Sequence, residues 1–226
     1  MKVLNKLFYY LSIAMLFFGC DSNTIEINGE VDGATSGTIY LYKLDPNNVY
    51  LVDSFNIRNN AFSYSLSNVV PDLYELRVHD KRVKVFLNNE DVTVKIDGLQ
   101  KYSNTKVESR DHSLLDSVYA IKNDFENSDR YRSYVGAFRK ARILKDTSVS
   151  DSLRNLAKTL LLERNTKIKK FLSLQEPAVS MVLVTRLLND PQSNQFKREL
   201  ASQLLHEFPT SMQVRYLGKK EKIITP

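Results

Sequence analysis

The hydrophobic period of this 226-residue chain changes once, between residues 101 and 112, and that change constrains the fold more than any motif. Ahead of it, apolar residues recur at every second position. TIEINGEV (24–31) sets Ile25, Ile27 and Val31 against Thr24, Glu26 and Glu30. GTIYLYKL (37–44), VYLVDSFNI (49–57), AFSYSL (61–66), LYELRV (73–78), RVKVFL (82–87) and VTVKID (92–97) follow. Turn formers separate them: Asp32-Gly33, Asp45-Pro46-Asn47-Asn48, Asn59-Asn60, Pro71-Asp72, Asn88-Asn89 and Asp97-Gly98. A period of two between such turns marks half-buried strands, and short strands at this rhythm predict an antiparallel β-sandwich or barrel.

Beyond Asp111 the apolar step lengthens to three and four residues. Leu114, Leu115, Val118, Ile121 and Phe125 make one stripe; Tyr131, Val135, Phe138, Arg142 and Ile143 make a weaker one. Leu153, Leu156, Ala157, Leu160, Leu161, Ile168, Phe171 and Leu172 make the clearest. These are helix faces. Pro177 and Pro191 bracket AVSMVLVTRLLN (178–189), and a last helix is expected over Asn194–Phe208, stopped by Pro209. The expected fold class is therefore α+β: an N-terminal antiparallel β-sandwich or barrel of about seven or eight strands, then an α-helical region. The domain reading is a leader over 1–19, a β-sandwich domain over 20–108 and a helical domain or linker over 109–226.

Charge changes at the same boundary. Cys20–Gln100 holds 12 acidic and 7 basic residues, whereas Lys101–Pro226 holds 14 acidic and 23 basic. The densest basic groups, Arg139-Lys140-Ala141-Arg142 and Lys167-Ile168-Lys169-Lys170, fall on amphipathic helices, where charge covers the solvent face. No nucleic-acid partner is expected of an exported chain, and attraction to acidic lipid headgroups is the more plausible use of spare basic charge.

Export is read from the first twenty residues. Lys2 and Lys6 precede Leu7–Phe18, an apolar run broken only by Ser12. A basic start and a short apolar core form a secretory signal, and the run falls short of the roughly 20 residues that cross a bilayer core. Leu16-Phe17-Phe18-Gly19-Cys20 resembles a bacterial lipobox, although Phe17 and Phe18 are bulkier than its usual residues. The resemblance implies lipidation of Cys20 as the first residue of the mature chain. Two or more acyl chains, at about 0.8 kcal/mol per buried methylene, give a stable anchor. The expected location is the cell envelope, attached to the inner or outer membrane and facing the periplasm or surface.

Catalytic signatures are absent from the sequence. His79, His112 and His206 belong to no HxH or HExxH pattern, and Cys20 has no second cysteine to form a CxxC. There is no GxSxG elbow, GxGxxG, P-loop or EF-hand loop. No catalytic residue, cofactor ligand or metal ligand is assigned, and Met181 and Met212 are assigned to core packing in apolar helical stretches.

A succession of loose apolar motifs completes the reading. Ile27-Asn28-Gly29-Glu30-Val31, Gly37-Thr38-Ile39-Tyr40-Leu41-Tyr42, Leu51-Val52-Asp53-Ser54 and Asn60-Ala61-Phe62-Ser63-Tyr64 come first. Pro71-Asp72-Leu73-Tyr74-Glu75-Leu76, Val85-Phe86-Leu87 and Val107-Glu108-Ser109 follow. Together they resemble the β domain of unknown function, with its helical linker, that precedes thioredoxin-like (AhpC/TSA-type) domains in bacterial envelope thiol–disulfide lipoproteins. Residues 1–226 carry no thioredoxin-like domain and no CxxC, so the family's thiol chemistry is not carried over. The functional expectation is a non-enzymatic binding or accessory module with an envelope protein partner. The alternative is a non-catalytic component of a thiol–disulfide pathway acting with a separate thioredoxin-like protein.

Overall fold

A computed structural model describes residues 24–97, 105–145 and 147–224. The leader and Cys20 lie outside these residues. Eight strands form: β1 (Thr24–Val31), β2 (Ser36–Leu44), β3 (Val49–Arg58), β4 (Ala61–Ser67), β5 (Asp72–Val78), β6 (Lys81–Leu87), β7 (Val92–Ile96) and β8 (Thr105–Glu108). They join in one sheet of order β6-β5-β2-β3-β4-β1-β7-β8, nearly closed into a barrel.

Alternation fills the barrel. Ile25, Ile27, Ile39, Leu41, Leu76, Val85 and Val94 are fully buried in its interior, while their polar neighbours face out. Every neighbouring pair is antiparallel save one: β1 runs parallel to β7, with Ile27 opposite Val92 and Val31 opposite Ile96. The sheet is thus mixed where a purely antiparallel one was expected. The parallel pair joins strands far apart in sequence, a non-local choice that no turn residue announces. Gly29 permits it. A Cβ at this position would meet the Val94 carbonyl oxygen and come within 2.5 Å of the Phe62 ring.

Among the described residues six α-helices follow: α1 (Arg110–Glu126), α2 (Asp129–Leu144), α3 (Thr147–Leu172), α4 (Met181–Val184), α5 (Asn194–Glu207) and α6 (Met212–Lys220). Ser109, Ser128 and Ser211 cap α1, α2 and α6, each side chain accepting from a backbone N–H three residues on. The helices enclose a second core of Leu114, Val118, Ile168, Leu172, Met181, Leu188, Leu204 and Val214. Leu73 of β5 and Phe86 of β6 turn outward into that core and weld it to the barrel. β5 is consequently buried on both faces.

Two helical expectations change. The run 178–189 holds only one helical turn, α4, because Val179, Val182, Val184 and Thr185 are β-branched and prolines stand on either side. And α5 is not the last helix: α6 follows it, although Pro209 intervenes. None of the helices is long and apolar enough to cross a membrane, among the described residues.

Candidate functional site

Asp72 opens β5 with no exposed surface, and a buried carboxylate is tolerated only among hydrogen bonds and opposite charge. Its Oδ2 accepts from the Met212 backbone N–H at 2.8 Å and stands 3.4 Å from Lys43 Nζ. Oδ1 accepts from the Ser211 hydroxyl at 3.2 Å and from the Gln213 N–H at 3.4 Å. Ser211 completes the set: its side chain accepts from the Val214 N–H, and its own N–H donates to the Phe208 carbonyl at 3.1 Å. All four orphan donors of the helix start are therefore satisfied, and a negative charge meets the positive end of the helix. Gln213 Nε2 adds a bond of 2.6 Å to the Leu44 carbonyl. Beside this cluster the Tyr74 hydroxyl donates to the Val70 carbonyl at 2.9 Å, and burial, with the Asp72 and Asp45 charges, pushes its pKa up to about 12. This phenol is structural, not a proton donor near neutral pH.

These bonds pin α6 against the β2–β3 hairpin and leave a recess of about 230 Å³ between them, lined by Asp45, Asn48, Tyr50, Met212, Arg215 and Tyr216. Small-molecule pockets run about 300–1,000 Å³. The recess is sized for a side chain instead. Asp45, whose Oδ1 is buried without a hydrogen-bond partner, lines it. Met212, assigned to core packing from the sequence, is instead 38 % exposed at the rim, whereas Met181 is buried as expected.

The strand beside the recess is incomplete. Asn59 and Asn60 both take positive φ, 52° and 65°, the geometry of a tight primed hairpin turn. After that turn β3 and β4 share a single register pair, Arg58 with Ala61, and then diverge. Side chains hold the gap where backbone does not. The Phe55 and Tyr64 rings stack at 4.6 Å, Phe62 leans on Phe55 at 5.6 Å, and Tyr64 donates to Asp53 at 2.5 Å. That bond holds the Asp53 carboxyl below its usual range. Beyond the wedge, β3 is laddered on the β2 side alone, and its register slips at Leu41/Tyr42, a bulge that re-aims the residues past it. There Val49, Tyr50, Leu51 and Val52 are 40–57 % exposed, four consecutive apolar side chains on an unpaired edge. Natural sheets ordinarily blunt such edges with charge, proline or short strands.

Elsewhere a buried polar cluster joins α3 to the start of α5: Asp190 Oδ2 accepts from Asn165 at 2.6 Å and from Ser193 at 2.5 Å. A wider cleft of about 610 Å³ at the β3–β4 turn mixes Glu30, Asp32 and Asp97 with Lys95 and Lys106. Among the described residues no three His, Cys, Asp or Glu side chains gather to hold a metal. His79 sits exposed in the β5–β6 turn and His206 exposed on α5. His112 instead clamps α1 to the barrel. Its Nε2 lies 3.2 Å from the Lys84 carbonyl, which can only accept, so the proton resides there and Nδ1 takes a bond from Ser109 at 2.9 Å. Burial lowers its pKa, keeping the ring neutral. Sequence reasoning assigned Cys20 alone, which lies outside the described residues, and missed the β3 edge. The signal was partial: Val49-Tyr50-Leu51-Val52 is a run of four apolar residues without polar alternation, as Ile39-Tyr40-Leu41-Tyr42 of β2 is.

No curated protein matches the chain, and no solved structure does. The match that exists covers all eight strands and α1 and ends at the cap of α2. The family model described as Domain of unknown function (DUF4369) matches residues 25–128.

Proposed function

We propose that this chain is a lipid-anchored protein of the cell envelope acting as a non-enzymatic binding module, which takes an extended segment of a partner protein along the free edge of β3. The single β3–β4 register pair carries this reading. A strand edge presents backbone donors and acceptors in a fixed row, and the group that satisfies such a row is another strand. Affinity then comes from the backbone ladder, and selectivity from what alternate side chains meet. Here they meet Val49–Val52 and the recess between Tyr50 and Met212.

The anchor and the edge are tested apart. For the anchor, the full chain should enter the detergent phase on phase separation, and Cys20→Ala should release it or leave the leader uncleaved; unchanged partitioning would remove the lipoprotein reading. For the edge, extended peptides selected for binding to the full chain should lose at least tenfold in affinity on Leu51→Lys, equivalent to about 1.4 kcal/mol. Selected peptides indifferent to Leu51→Lys and to Tyr50→Ser would show that β3 is not the site.

A further inference from the structure

The second exposed apolar feature lies at the far end of the helical hairpin formed by α2 and α3. α2 packs chiefly on α3 and α1, and only Ala141 of its sixteen residues is buried. Its Tyr131, Tyr134 and Phe138 continue a run of tilted rings that starts at Phe125 of α1, each pair 5.7–6.0 Å apart. The first turns of α3 are likewise solvent-exposed, and its buried residues begin at Leu160. The hairpin end therefore stands clear of both cores. At that end Ile143 is 80 % exposed and Leu144 66 % exposed, the two most exposed large aliphatic side chains apart from Leu174 among the described residues. Residues 139–149 hold four basic residues, Arg139, Lys140, Arg142 and Lys145, against one acidic residue, Asp146. The carboxylate of Asp151, further along α3, is already engaged by Arg154 at 2.5 Å.

Two adjacent aliphatic side chains at a protruding end, with cations around them, match the layering of a bilayer surface. Apolar groups enter the boundary of headgroups and acyl chains, and Lys and Arg stay at the phosphates. We infer that the α2–α3 hairpin end is a membrane-contact tip, in which Ile143 and Leu144 dip into an anionic lipid surface and Arg139, Lys140 and Arg142 hold its phosphates. The charge selects lipid over a second copy of this chain, whose own tip carries the same positive sign. The contact is independent of the β3 edge and does not require acylation of Cys20. It would orient a tethered protein and fix which way its β3 edge faces.

The magnitudes are readable. Full burial of each aliphatic side chain favours the inserted state by on the order of tenfold or more. Each basic residue at an anionic surface adds roughly fivefold, so three together contribute about a hundredfold.

The test uses the full chain reconstituted in vesicles, with a polarity-sensitive fluorophore on Thr147→Cys, which leaves Ile143 and Leu144 in place. The chain without the added cysteine serves as the labelling blank, and Asn47→Cys on the β2–β3 turn serves as a second position. In phosphatidylcholine vesicles containing phosphatidylglycerol, the label at 147 should shift to the blue and be quenched by spin-labelled acyl chains, and the label at 47 should not. In pure phosphatidylcholine the quenching should largely disappear. I143S/L144S should abolish it, and R139Q/K140Q/R142Q should lower the inserted-to-free ratio by about a hundredfold. All five side chains are exposed, so circular dichroism and melting should be unchanged in both variants. Equal quenching in neutral and anionic vesicles would overturn the inference. So would insensitivity to I143S/L144S, or a blue shift that depends on protein concentration and not on lipid, which would indicate copy-to-copy contact.

Discussion

Unsatisfied backbone groups arise at two neighbouring places in this protein, the start of α6 and the free edge of β3, and the chain treats them in opposite ways. At α6 a carboxylate from a strand 140 residues earlier reaches the Met212 amide, and Ser211 meets what Asp72 does not. At β3 the edge that faces away from β2 has no register partner from Val49 to Ile57, and at Val49–Val52 hydrophobic side chains stand on it in place of charge. The recess of about 230 Å³ touches both. The difference teaches that the open edge is not loose packing, since the fold closes a polar terminus within a few side chains of it. An edge left open beside a closed terminus is what the proposed docking of another chain requires.

Breaking the closed side should have the largest effect. Asp72→Ala strands Lys43, the Ser211 hydroxyl and the first amides of α6, and loss of one partner from a buried charge pair costs about 3–5 kcal/mol. Chemical denaturation should show that loss, with Asp72→Asn retaining part of it. Next comes Gly29→Ala, which asks whether the barrel is as tight on its closed side as it is open at β3. The added methyl has nowhere to go between Val94 and Phe62, and overpacking of this kind costs about 1–3 kcal/mol.

A smaller effect is pH-dependent. The folded pKa of His112 is lowered by burial, so the unfolded chain binds a proton first as pH falls. Stability should be full above the unfolded value of about 6.5 and decline as pH drops through the folded value. His112→Gln should flatten that slope between pH 7 and 5, measured by denaturant midpoints. Smallest of all is the effect of Leu51→Lys on folding: within about 0.5 kcal/mol, because the residue is 57 % exposed. Large losses at Asp72 and Gly29 with none at Leu51 would sharpen the contrast; a large loss at Leu51 would place it in the core instead.

Local pattern made most of the barrel legible. Alternation and turn residues locate the strands to within a residue or two, and the final strand, Thr105–Glu108, is anticipated only through Val107-Glu108-Ser109. What escaped is non-local. The parallel β1–β7 pairing depends on Gly29 leaving room for Phe62, a relation between residues 33 apart. Nine residues of α6 carry a weak stripe, Val214 and Leu217, and follow a proline; the helix is held by Asp72, which no window around residue 212 contains. The β3 edge was legible only in part, as four apolar residues without alternation, because a buried strand and an open edge read alike until the partner of the strand is known. Arg139–Leu144 was legible as charge and periodicity, whereas the exposure of Ile143 was not, because the stripe gives no sign of where a helix leaves the core.

Amide hydrogen exchange of the full chain, with and without a selected extended peptide, tests the central claim most directly. β3 as a docking edge predicts fast exchange in the free protein at those amides of Val49–Val52 that point away from β2, and marked slowing there when peptide is bound, with α6 and β5 unchanged. Slow exchange of these amides in the free protein, or protection by peptide confined to the helices, would contradict it.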